Sequence, residues 1–315
     1  MIAADVFFDP SDHLVVGLAT CDESTLAFDL PGHVLVAAIV EPRPFSYLGS
    51  NLGERLEEIS LPSDYRPRIQ LCGRFVLELA GRRIDPQLSG RQGRLLFAYL
   101  ALNRERALTR DELVDALWPY GTPAAAPSAL TVLVSKLRAA LGSETLSGRS
   151  ELRLNLPPGA RVDVEDALEA VHQAQSAVAL GDWRRAWGPA LRAQFIARRR
   201  LLPEHDTPWL DRWRQRLDDV HDRALEAYAA SCLRIGGTEL PGAERAARTL
   251  TDRSPLRETG YALLMDALAS QGNVAEAMRV YERVRTMLRQ ELGITPGPAI
   301  QQAHARLLGT PTTRR

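Results

Sequence analysis

Ser128, Thr131, Val132, Ser135 and Lys136 share one side of a helix predicted over Ala124–Gly142, and their chemistry suits reading a nucleic-acid duplex. Advancing 100° per residue from Leu130 puts Leu133, Val134, Leu137 and Leu141 within about 60° of it, a stripe destined for a core. Arg138 stands at the flank of the opposite face. A face made for water carries several glutamates and lysines; this one has short hydroxyls, an uncovered valine and few charges. Short side chains let a backbone approach base edges, hydroxyls bond bases or phosphates, and valine meets a thymine methyl. Thr131, Val132 and Ser135 are therefore assigned to base edges, and Lys136 and Arg138 mainly to phosphates. Arg91, Arg94, Arg110 and Arg149 are expected to add flanking phosphate contacts. Helices with small polar faces also pack against other helices, so the flanking elements decide between the two readings.

Upstream, Gly90–Leu102 is an apolar block with helical spacing. A second helix is predicted from Thr109 to Trp118, opened by a capping box (Thr109 with Glu112) and closed by Pro119. The turn Tyr120–Pro123 leads into the duplex-reading helix. Downstream, Glu151–Leu156 alternates apolar and polar residues as a half-buried strand does. With the turn Pro157–Gly159 and the segment Ala160–Val164 it predicts a β-hairpin. Before all three helices, Arg68–Leu79 and Arg82–Ile84 read as strands split by Ala80 and Gly81. Strands, three helices and a hairpin make a winged helix, whose third helix enters the major groove.

The segment from Arg68 to Val164 resembles the OmpR-type winged helix at the front of Streptomyces antibiotic regulatory proteins. The resemblance rests on Phe75, Leu95–Leu102, Leu108–Leu113, Leu117-Trp118-Pro119, Val134–Arg138 and Leu141-Gly142. One departure stands out: the family's wing reads Pro-Pro-Gly-Tyr, and here Ala160 follows Gly159.

From Asp163 onward the pattern is helical throughout. Two blocks, Asp219–Arg253 and Pro255–Leu288, repeat with a period near the ~34 residues of tetratricopeptide units. The second places Tyr261 and Ala267 on one helix, Gly272-Asn273 in a turn, and Ala277 and Tyr281 on the next. A weaker copy starts near Val164 and includes Gly181–Ala186. Such helix pairs bury their apolar faces only by stacking. Leu202–Leu210, Pro255–Glu258, Leu264–Leu268, Gly272–Glu282 and Glu291–Pro296 look like the bacterial transcriptional activation domain that follows the winged helix in the same family. The resemblance implies an activator that binds tandem direct repeats in a promoter; the modest positive charge of residues 68–160 adds the expectation of a homodimer on DNA, or of help from a bound polymerase. The resemblance also implies recruitment of RNA polymerase through contact with the sigma factor.

Charge agrees with this division. The whole chain is neutral, but residues 1–67 hold three basic against eleven acidic residues, and residues 68–160 hold thirteen against eight. The positive segment is the one with the winged-helix pattern, as phosphate neutralisation requires. Lys136 is the sole lysine, and the abundance of arginine by itself says little about nucleic acid. Within 1–67, Leu14–Ala19, Thr25–Leu30 and Val34–Val40 read as strands, and Pro42–Pro44 and Leu61–Ser63 as linkers. This acidic extension has the charge needed to cover a basic DNA face.

Chemistry beyond binding is not expected. The six histidines are scattered, with no metal-ligand spacing to cysteines or carboxylates, and no phosphate loop or nucleophile elbow occurs. Three distant cysteines suit thiols in a reducing cytoplasm. Apolar runs stay short of the ~20 residues of a membrane span, and a secretory signal is not evident. The expectation is a mainly α protein: an acidic β-rich extension (1–67), a winged helix-turn-helix domain (68–162), a tetratricopeptide-like all-α domain (163–309) and a disordered tail (310–315). It would be a non-enzymatic, cofactor-free and metal-free regulator that acts on double-stranded DNA at the nucleoid. Two other readings remain: a helical-repeat adaptor whose winged helix docks protein, and a regulator whose repeat groove senses a ligand.

Overall fold

The computed structural model describes residues 2–8, 14–20, 67–79, 81–88, 90–142 and 144–309. It divides into two compact units, residues 1–64 and 65–315. In the first, strands β1 (Ile2–Phe8) and β2 (Leu14–Thr20) pair antiparallel, Ile2 opposite Thr20 and Phe8 opposite Leu14. The strands expected at 25–30 and 34–40, both linkers and the 310–315 tail lie outside the described residues.

The second unit opens with β3 (Arg68–Gln70), β4 (Val76–Leu79) and β5 (Arg82–Arg83) in an antiparallel meander. Sequence alternation had suggested one strand over Arg68–Leu79. Instead the chain reverses at Gly73, whose φ of +77° favours glycine, and Ile69 pairs with Leu77. Three helices follow: α1 (Gly90–Leu102), α2 (Arg110–Leu117) and α3 (Ala126–Leu141), with the short strand β6 (Leu108–Thr109) ahead of α2. Thr109 caps α2 by accepting the Glu112 amide at 3.2 Å, and the helix stops one residue before Trp118-Pro119. The helices close on Leu96, Phe97, Leu100, Leu113, Leu130 and Leu137, all buried.

The wing differs from the expected hairpin. Strand β8 (Glu151–Leu154) pairs with β7 (Leu146–Ser147) on one side and β6 on the other, so the hairpin tip is Gly148-Arg149-Ser150. Gly148 is required there: its φ is +90°, and an added Cβ would sit 1.8 Å from the Glu151 carbonyl oxygen. Pro157–Gly159 does turn the chain, but it delivers β9 (Arg161–Val162) to the other sheet, parallel to β3 with Ile69 beside Val162. Ala160 is therefore not at the wing tip.

Seven helices complete the described fold: α4 (Asp163–Ala179), α5 (Trp183–Ala197), α6 (Pro208–Ile235), α7 (Leu240–Arg253), α8 (Glu258–Ser270), α9 (Val274–Glu291) and α10 (Pro298–Gly309). Alanines make the close crossings. Ala167, Ala170 and Ala174 on α4 are buried, as are Ala186, Ala190 and Ala193 on α5. Gly260 works the same way, since a Cβ there would meet Leu250 at 3.2 Å. Glycines at positive φ, Gly181 and Gly272, end the first helix of two of the pairs, as the repeat spacing predicts.

The winged helix and the first helical pairs share one apolar core, running from Ile69 through Phe97, Leu130 and Val164 to Leu210 and Ala224. Polar ties reinforce it. The Asp163 carboxylate accepts the Leu71 and Cys72 amides, each at 2.9 Å, and Trp209 donates its indole N–H to the Ala116 carbonyl at 3.1 Å. Trp209 also meets Tyr99 edge-on, with ring centroids 5.0 Å apart. A strap at 200–206 bonds back to the loop between β3 and β4, Leu202 N–H to Leu71 O at 3.0 Å and Gly73 N–H to Arg200 O at 2.8 Å.

Candidate nucleic-acid interface

Helix α3 has two contrasting sides. Ala126, Leu130, Val134 and Leu137 are buried, Leu133 and Leu141 half-buried. Ser128, Thr131, Val132, Ser135 and Lys136 are exposed, Val132 by 53%. An exposed valine is ordinary by itself, but here it sits among short hydroxyls and a lysine on a helix whose other side is sealed in the core, and covering it against an apolar group would recover hydrophobic free energy.

The charged groups around this face divide by what holds them. Arg110, at the start of α2, donates from Nε to the Arg149 carbonyl at 2.9 Å and from Nη1 to Thr131 Oγ1 at 3.2 Å. Thr131 Oγ1 in turn donates to the Pro127 carbonyl at 2.9 Å. One guanidinium thus joins the wing tip to the exposed face of α3. Arg138 makes a second brace: Nε donates to the Leu146 carbonyl at 3.2 Å, and Nη2 donates to the Gly148 carbonyl. Assigned from sequence to phosphate, Arg138 here holds the wing's first strand and turn against the helix. Arg149 occupies the wing tip and is exposed, as Lys136 is on the helix.

Arg91 and Arg94 lie elsewhere. Both are engaged by Glu204 in the strap, Arg91 through its carbonyl and Arg94 through its carboxylate at 3.2 Å. The sequence-predicted set therefore separates into an exposed group (Ser128, Val132, Ser135, Lys136, Arg149), a bracing group (Arg110, Thr131, Arg138) and a seam pair (Arg91, Arg94).

Helix α2 is seated by a network that spacing alone does not show. Tyr99 donates to Glu112 Oε1 at 2.8 Å, and Arg106 binds the same carboxylate, Nη1 to Oε2 at 2.9 Å. The bond from Arg106, together with that from Tyr99, holds the Glu112 carboxyl below its ordinary range against the opposing effect of burial. Burial and Glu112 push the Tyr99 phenol up to about 12. The Glu112 carboxylate thus ties Tyr99 on α1 and Arg106 to the first turn of α2. Gly148, Leu146 and Ser147 were missed in the sequence reading; their signal was a Gly-Arg-Ser turn between two Leu-containing pairs, fainter than Pro-Pro-Gly. Among the described residues no group of three or more metal-ligating side chains occurs, and no helix is long and apolar enough to cross a membrane.

Comparison with known proteins agrees with this architecture. Residues 85–150 match the family model "Transcriptional regulatory protein, C terminal", and residues 162–308 match "Bacterial transcriptional activator domain". The transcriptional regulator RedD of Streptomyces coelicolor is 30% identical over 289 residues, covering 78% of this chain and 74% of RedD. The regulatory protein AfsR of Streptomyces griseus is 31% identical over 217 residues, 69% of this chain but only 22% of AfsR, so the chain spans about a fifth of that longer relative. Among solved structures, Mycobacterium tuberculosis EmbR, in complex with a low-affinity phosphopeptide, superposes with a TM-score of 0.67 at 25% identity, covering 77% of this chain and 65% of EmbR. With an OmpR-type winged helix joined to a bacterial transcriptional activator domain, and with RedD matched over most of its length, the chain belongs to the Streptomyces antibiotic regulatory protein family of transcriptional regulators.

Proposed function

We propose that this protein is a sequence-specific transcriptional activator that reads promoter DNA with α3. The exposed face of that helix carries the reading: a half-uncovered Val132 among short hydroxyls, with Lys136 beside them, on an element whose other side is sealed in the core. In this arrangement Val132 and Ser135 meet base edges in the major groove, Lys136 a phosphate, and Arg149 the adjacent backbone from the wing. Thr131 reaches bases by exchanging its bond from Arg110 for one to DNA.

The excess of positive charge on residues 68–160 is modest, so one copy binds weakly. Two copies on tandem direct repeats supply the missing affinity, and the helical stack recruits RNA polymerase through its sigma factor. The test is footprinting on the intergenic DNA next to the protein's own gene, with gel shifts on the protected repeats. Protection of two direct repeats is expected. A protein that retards no fragment at low salt would overturn the reading and favour a winged helix that docks protein.

A further inference from the structure

A cleft of about 560 Å³ opens at the seam between the winged helix and the helical stack. Its walls come from the start of α1 (Arg91, Gln92), the turn after α2 (Trp118, Tyr120) and the strap ahead of α6 (His205, Thr207). Its volume is that of sites for drug-sized organic molecules.

The polar groups along this cleft are incompletely satisfied. His205 and Thr207 are only 6% and 5% exposed, yet His205 Nε2 and Thr207 Oγ1 have no hydrogen-bond partner, and neither does Gln92 Oε1. Buried polar atoms are ordinarily paired, so three unpartnered atoms on residues along one cleft are hydrogen-bonding capacity that a bound molecule can use. Thr207 is more telling still. It stands at the N-cap of the 28-residue helix α6, where a threonine normally accepts a backbone amide, and its side chain makes no such bond. The N-terminus of a long helix also favours negative charge.

Charge and shape narrow the ligand. Arg91 is exposed at the cleft, while Asp206, which also borders it, is matched by Arg200 at 2.9 Å and Arg214 at 2.8 Å. Burial and the charge of Arg91 lower the affinity of His205 for its proton, leaving a neutral imidazole able to donate or accept. Opposite these groups, Trp118 is half-buried, packed against the shared core with part of its ring still open, and Tyr120 is 77% exposed, so the cleft wall carries aromatic surface.

We propose that this cleft binds a small aromatic acid, its anionic group toward Arg91, Thr207 and the start of α6, its ring against Trp118 and Tyr120. The position matters because the turn that carries Trp118 and Tyr120 runs directly into α3, where the Ala126 amide bonds the Pro123 carbonyl at 2.9 Å.

The test titrates the full chain, without DNA, with salicylate and 1-hydroxy-2-naphthoate by calorimetry and ligand-observed NMR. Cyclohexanecarboxylate is the non-aromatic acid control. Saturable binding of at least one aromatic acid is expected with Kd below about 1 mM. Thr207→Val and Tyr120→Ala should each weaken it about fivefold, the size of one lost contact. Leu180→Ser, at a residue 82% exposed and outside the cleft, should leave it unchanged. Tyr120 is exposed enough that its replacement leaves the fold intact, which a melting curve checks. Three results overturn the proposal: no aromatic acid bound below about 1 mM, equal binding by both cleft variants and wild type, or equal binding of the cyclohexane acid. None of these results would bear on DNA recognition, which the titration does not involve.

Discussion

Lys136 and Arg138 sit two residues apart on α3, and their replacement by alanine should fail in different ways. Lys136 is exposed on the outer face of α3, and on the function proposed above it contributes a phosphate contact. Each phosphate neutralised adds about 0.9 to the slope of log K against log salt. Between 50 and 200 mM salt, a fourfold change, the Lys136→Ala defect should therefore shrink by about 3.5-fold. Its melting temperature should stay put. Arg138 instead holds the wing by its bonds to the Leu146 and Gly148 carbonyls. Bonds from a charged donor are worth about 1.5–3 kcal/mol when buried, and this partly exposed pair should give about 1 kcal/mol. For a folded unit of this size that is a loss of about 2–4 °C in Tm. Arg138→Ala should then bind operator less tightly by a factor independent of salt, because the wing is looser rather than less charged. Fluorescence anisotropy across a salt series, paired with calorimetric melting, reads both quantities. A reduced slope with unchanged Tm in Arg138→Ala would refute the brace and return Arg138 to phosphate.

Val132→Ala should cost about 1 kcal/mol at a single thymine position and little on an operator bearing uracil there, as competition gel shifts would reveal. Gly148→Ala forces a Cβ onto the Glu151 carbonyl at a positive φ, so denaturant melts should show a loss of about 1–3 kcal/mol together with weakened operator binding. Burial, assisted by Arg253, holds His221 down to about 4, whereas an unfolded histidine titrates near 6.5. Between those values the unfolded chain binds the extra proton, so stability should fall as pH drops through that window and level off below it. The loss attributable to His221 is up to about 3 kcal/mol, and His221→Gln should flatten the curve. A variant with the wild-type pH profile would show that His221 is not the group responsible.

The helices were readable because each announces itself locally. Gly90–Leu102 was delimited in full from its apolar spacing, and Thr109 with Glu112 and Pro119 marked both ends of the next helix. The wing was misread because two turn signals compete within twelve residues. Pro157-Pro158-Gly159 is the louder, yet the hairpin closes at Gly148, where the geometry admits no side chain. Choosing between them requires knowing that Val162 pairs with Ile69, a contact 93 positions away that no local pattern encodes. Arg91 and Arg94 failed to group with the other arginines for the same reason: their partner, Glu204, is brought in by the strap more than a hundred residues later. On α3 itself the periodicity separated core from exposed residues well. It could not say which exposed groups are already bonded, so the braces at Arg110 and Arg138 became visible only in three dimensions.

The shared core bears on how two copies would use tandem sites. Asp163 clasps the chain just after β3, Trp209 grips the end of α2, and Arg104 pairs with Glu165 at 2.6 Å, so the winged helix and the first helical pairs move as one body. A copy seated on a half-site then carries its helical stack at a fixed angle to the groove. Copies on repeats one duplex turn apart, about 10.5 base pairs, present their stacks on the same side of the DNA. Inserting about five base pairs turns one stack to the far side, and about ten restores it. On the function proposed above, a reporter driven by the footprinted repeats should lose activation with the half-turn insertion and regain a substantial part with the full turn. Equal activation at all three spacings would mean that the stack swings freely about the winged helix, which a buried indole bond and a continuous apolar core do not permit.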